Sequence, residues 1–168
     1  LGGTASATTN ANGQASFTNL QLSGLTGNYT LSFASSGLTG ATSNAIALGA
    51  GTATQLVMVT QPSSSAQSGI AFGQQPSVRL EDQFGNPVST SGTPVTVAIG
   101  SGGGTLGGTA TVNTVSGVAT FAGLSITGLV GGHTLSFTSG VLSPASSNTI
   151  TLSAGAAATI ALSTGDGQ

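Results

Sequence analysis

Polar and apolar residues alternate along most of this chain. Thr30-Leu31-Ser32-Phe33 and Thr134-Leu135-Ser136-Phe137 carry the pattern. Ala15 shares a face with Phe17, Ala119 with Phe121, Ile46 with Leu48 and Ile150 with Leu152. Further on, Val78 and Leu80 alternate with Arg79 and Glu81, and Val95, Val97 and Ile99 with Thr96 and Ala98. Successive strand residues point to opposite faces, so a period of two predicts half-buried strands. No segment carries a convincing helical period. The pattern predicts strands at 55–60 (continuing near 70–72), 77–83, 94–100, 109–113, 117–121, 134–138 and 148–153. Seven to eight short strands in about a hundred residues predict an all-β, Ig-like β-sandwich with Greek-key connections.

Turn chemistry separates these strands. Asn12-Gly13 is a hairpin signal, because both residues tolerate positive φ. Phe84-Gly85-Asn86-Pro87 ends a strand, since proline cannot donate to a ladder. Gln61-Pro62-Ser63-Ser64-Ser65 reads as a break in or after the first strand of the full period.

The pattern also repeats on a longer scale. Residues 13–56 align with 117–160 without a gap, at an offset of 117 − 13 = 104. Upstream, Leu1-Gly2-Gly3-Thr4-Ala5 matches Leu106-Gly107-Gly108-Thr109-Ala110 with one residue of slippage. Solenoid periods run roughly 20–50 residues, so a period near a hundred implies tandem whole domains. The expected organisation is therefore the last four strands of a repeat at 1–51, a complete repeat at 52–155 and the first strand of a following repeat at 156–168. Four strands without their opposing sheet would expose Phe17, Leu31, Phe33 and Ile46, and open edges invite pairing. A longer polypeptide or a neighbouring subunit would supply the missing strands, the longer chain being favoured. In the second case 157–163, with Ile160 and Leu162, is the candidate inter-subunit strand.

The string Leu80-Glu81-Asp82-Gln83-Phe84-Gly85-Asn86-Pro87-Val88 precedes Val95-Thr96-Val97. Gly102-Gly103-Gly104-Thr105-Leu106 and Gly117-Val118-Ala119-Thr120-Phe121 follow. In this order the segments resemble bacterial Ig-like repeats of the invasin and intimin type. Such repeats form the stalks of surface proteins and extracellular fibres, so the resemblance implies a rod-building role.

Composition narrows the function. Only 2% of residues are charged, against about 25% in ordinary domains, and the net charge is −2. A chain without a basic patch is not expected to bind nucleic acid. No apolar run is long enough to span a bilayer, so no membrane insertion is expected within this segment. Zero cysteines exclude disulfides and thiolate metal sites. With so little charge, solubility rests on hydroxyls and amides, and copies of the chain tend to associate. An extracellular or cell-surface location tolerates that property.

The candidate chemistry is sparse. His133, the sole histidine, occupies the position of Tyr29 in the other copy. A tyrosine at the start of this strand resembles the tyrosine corner of Ig-like sandwiches, so Tyr29 and His133 are structural corner candidates. Glu81 and Asp82 are adjacent and point to opposite strand faces, which rules out a carboxylate pair. Arg79 and Glu81 share a face, suited to an exposed ion pair. Asp82 is expected to bond backbone groups at Gly85-Asn86. Calcium held by Asp82 and Asp166 would be short of carboxylates. Gly102-Gly103-Gly104-Thr105 lacks the lysine and helix of a phosphate loop and reads as a flexible connection. Asn28-Tyr29-Thr30 is an isolated glycosylation sequon. No serine has a base arranged for nucleophilic chemistry.

The sequence therefore gives no catalytic residues, metal, cofactor or small-molecule substrate, and the chain is not expected to be an enzyme. It reads as a structural segment of an extracellular filament or cell-surface stalk, whose partners are copies of itself or adjacent repeats. The alternatives are an adhesin or carbohydrate-binding module, against which the 4% aromatic content weighs, and a phage or capsid decoration domain on the same fold.

Overall fold

A computed structural model describes residues 1–157. It is all-β, with no helix among the described residues and several sheets. The chain divides into two compact units. The first contains Leu1–Ala53 and Glu81–Val88; the second contains Thr54–Leu80 and the chain from Ser89 onward. Ile160 and Leu162 lie outside the described residues.

The first unit has four short strands: β1 (Gly27–Tyr29), β2 (Ser32–Phe33), β3 (Ala41–Thr42) and β4 (Ile46–Leu48). β1 pairs with β4 and β2 with β3, both antiparallel. Gly2 and Gln21 form a bridge, as do Thr9 and Ala15. No residue from 1 to 53 is fully buried.

The second unit holds β5 (Gln55–Thr60), β6 (Ser65–Gln67), β7 (Ser77–Glu81, its last residue counted with the first unit), β8 (Pro94–Ser101), β9 (Thr105–Gly107) and β10 (Thr111–Asn113). It continues with β11 (Val118–Thr120), β12 (Ser125–Thr127), β13 (Gly131–Thr138), β14 (Ala145–Ser146) and β15 (Ile150–Ser153). The largest sheet runs β10-β8-β13-β15-β6, with β14 also on β13. β6 joins β15 in parallel, and the other pairs of this sheet are antiparallel. A second sheet runs β11-β7-β5, and β12 pairs with β9.

The inward residues of these sheets form a sandwich-like core. Val95 and Val97 from β8, Leu135 and Phe137 from β13, and Ile150 and Leu152 from β15 meet Val78, Leu80, Ala119 and Ile126. Phe121 and Phe137 bridge the layers, their ring centroids 5.3 Å apart and tilted by 57°. Burying each large apolar side chain contributes about 1.5–3 kcal/mol, so the alternation visible in the sequence holds this unit together.

Several details differ from expectation. The first strand resumes at Ser65–Gln67 rather than near 70–72, where Phe72 turns inward and Ile70 stays exposed. The segment after the glycine run is ordered into β9, because its backbone pairs with β12. Glu81 is buried, not exposed. At the first hairpin Gly13 alone has positive φ, 76°, and Asn10 Oδ1 accepts the Asn12 and Gln14 amides. Three residues, Ala11-Asn12-Gly13, make that turn. Its counterpart uses only Ser116-Gly117, both at positive φ (48° and 80°), the geometry of a two-residue hairpin. This turn is the source of the one-residue slippage between the copies.

Candidate functional site

The two copies of the repeated segment form the same local bonds. Gly27, Asn28 and Tyr29 face Leu48, Ala47 and Ile46; Gly131, Gly132 and His133 face Leu152, Thr151 and Ile150. The Leu31 amide donates to Ser43 Oγ at 2.9 Å, as Leu135 does to Ser147 Oγ at 2.8 Å. Both serine hydroxyls then donate to the next residue's carbonyl at 2.8 Å. Phe17 stacks on Phe33 at 5.1 Å, tilted by 50°, matching the Phe121–Phe137 pair.

Coverage is where the copies part. Phe121, Leu124, Leu135 and Phe137 are fully buried. Phe17, Leu20, Leu31 and Phe33 are only half-buried. The difference comes from β8, whose residues 96–101 pair with β13 across Thr134–Thr138. In the first unit β2 pairs with β3 alone, and no strand among the described residues takes its other edge. A groove of about 350 Å³ opens there, lined by Leu1, Phe17, Leu20 and residues 30–33. Among the described residues, the apolar face of the first unit therefore lies partly open beside an unpaired strand edge. Among the residues expected to be exposed, Ile46 is 37% accessible, whereas the two phenylalanines shield each other in part.

The corner candidates occupy matching places. Tyr29 Oη donates to the Leu25 carbonyl at 2.7 Å. His133 Nε2 lies 2.9 Å from the Leu129 carbonyl, and both bonds reach four residues upstream. A carbonyl only accepts, so Nε2 carries a proton. Nδ1 is buried without a partner, facing the Gly102 backbone. Gly102 has φ +88°, and a Cβ there would stand 2.4 Å from Nδ1, so the imidazole fits only beside glycine. Asn28 of the sequon is exposed on β1.

Asp82 accepts four hydrogen bonds within the first unit. Its Oδ1 accepts the Phe84 and Asn86 amides at 2.9 and 3.0 Å. Its Oδ2 accepts Asn86 Nδ2 at 2.9 Å and the Gly51 amide at 2.8 Å. Asn86 in turn donates to the Gly24 carbonyl and accepts the Thr26 amide, both at 2.8 Å. The Asn86 side-chain bond, with the Gly51, Asn86 and Phe84 amides, holds the Asp82 carboxyl at about 2, against an opposing push from burial. The bonds within the turn were legible; those to Gly24, Thr26 and Gly51 span 31 to 62 residues and had no local signal. With its oxygens committed to hydrogen bonds, Asp82 is a structural tie.

No family model and no curated protein matches this chain.

Proposed function

We propose that the chain is a structural segment of an extracellular filament or cell-surface stalk, built from tandem Ig-like β-sandwich repeats and carrying no catalysis. The single observation behind this reading is that strand pairings and side-chain ties recur at an offset of 104 residues. Two copies of one architecture in a single chain support tandem domains. The pairing of β7 with β11, of β8 with β13 and of β13 with β15 supports an Ig-like Greek key. The nearly uncharged sequence supports a role in which surfaces meet copies of themselves. The open face of the first unit supports completion by further strands, from a longer chain or from a neighbouring subunit. Electron microscopy of native material tests this reading. The expected image is a fibre or stalk whose axial repeat equals one sandwich length. Discrete globular particles would overturn it.

A further inference from the structure

We infer that the Asp82–Asn86 turn, which the sequence assigns to the complete repeat at 52–155, is the element by which that repeat grips the backbone of the repeat before it. The inference goes beyond the structural reading above and rests on its tandem register.

The turn crosses the boundary that the sequence draws. Residues 82–88 follow β7 in sequence, yet they fold into the first unit with residues 1–53. No residue from 1 to 53 is fully buried, whereas Asp82 and Asn86 are each only 2% accessible. A buried carboxylate and a buried carboxamide persist when their polar atoms are matched. Here the matching takes backbone groups from the preceding repeat.

The two side chains divide the task. Asp82 Oδ1 builds the turn itself by accepting the Phe84 and Asn86 amides. Asp82 Oδ2 reaches outward to the Gly51 amide at 2.8 Å, in the segment between β4 and β5. A Cβ at Gly51 would stand 3.4 Å from that oxygen, so the segment passes close against the carboxylate. Asn86 uses its whole carboxamide: Nδ2 donates to the Gly24 carbonyl and to Asp82 Oδ2, and Oδ1 accepts the Thr26 amide. It offers residues 24–26 the donor and the acceptor that a peptide group would offer. A carboxylate at 86 accepts but cannot donate, and a carboxamide at 82 sets a donor against N–H groups.

The gripped side is backbone throughout: the Gly24 carbonyl and the Thr26 and Gly51 amides. It requires a chain path rather than particular side chains, and the partner it fits is an Asp-x-x-x-Asn turn. The structural building block is therefore one repeat together with the turn of the next. Three hydrogen bonds must break before the loop ahead of β1 and the segment between β4 and β5 are freed from that turn.

Residue-resolved hydrogen exchange of the full chain under increasing denaturant tests the grip. The Thr26 and Gly51 amides are expected to open together with the Phe84 and Asn86 amides, as one cooperative group. Turn amides that open with β8 and β13 while Thr26 and Gly51 open on their own overturn the inference. Asn86→Ala is the second arm. It is expected to speed exchange at Thr26 about tenfold and to speed it at Gly51 as well. The Ser136 and Thr138 amides of β13 should stay unchanged, which controls for folding. Unchanged exchange at Thr26 overturns the inference. Discrete particles in micrographs would sink the stalk reading and leave a shared opening of these four amides standing.

Discussion

Residues 13–53 and 117–157 form the same ladders and the same serine and aromatic contacts, yet only the second copy has a closed core. The comparison separates what the segment does alone from what its partners add. Hairpin pairing, the serine tie and the phenylalanine stack are intrinsic to the segment. Burial is not: it arrives with β7 and β8. The first copy thus keeps its local shape while its apolar face stays partly open.

Truncating the aromatic pair should separate the copies most strongly. Phe137→Ala is expected to cost about 3–5 kcal/mol in chemical denaturation, because it leaves a cavity in a closed core. Phe33→Ala should cost only about 1 kcal/mol, as expected for a half-buried ring. Equal costs would mean that the first face is already covered.

The serine ties give the next contrast. Ser147→Ala strands the buried Leu135 amide and should cost about 1–3 kcal/mol. Ser43→Ala should cost less than about 1 kcal/mol, since water reaches the Leu31 amide. Smaller still, Tyr29→Phe should cost about 0.5 kcal/mol, because the lost bond to Leu25 is exposed. Thermal melts of the three variants check this order.

The Asp82 tie should produce the subtlest effect. Its carboxyl is held at about 2 rather than 3.8. A depressed value stabilises the folded state above the ordinary one, and that contribution is lost as the pH falls from 3.8 towards about 2. The Gly51 amide resonance should therefore titrate with a midpoint near 2, and Asp82→Asn should abolish that response. A midpoint near 3.8 would show that the tie does not form.

Much of the fold was legible because alternation over five or more residues, as at Val95-Thr96-Val97-Ala98-Ile99, encodes a strand and its inward face. β9, β12 and β14 were missed, since runs of two or three residues are too short to show a period. The tyrosine–histidine equivalence was readable from the repeat alone. The orphaned Nδ1 of His133 was not, since it depends on where the Gly102 backbone passes. Leu31 and Phe33 are half-buried rather than exposed, and the mutual shielding of Phe17 and Phe33 needed the rings in place.

Hydrogen exchange on the full chain tests the central claim most directly. The account predicts that the Ser136 and Thr138 amides, opposite Ala98 and Thr96 of β8, are protected. Their counterparts Ser32 and Ala34 should exchange fast, whereas the Leu31 amide, tied to Ser43 Oγ, exchanges more slowly. Equal protection of the two pairs would contradict it.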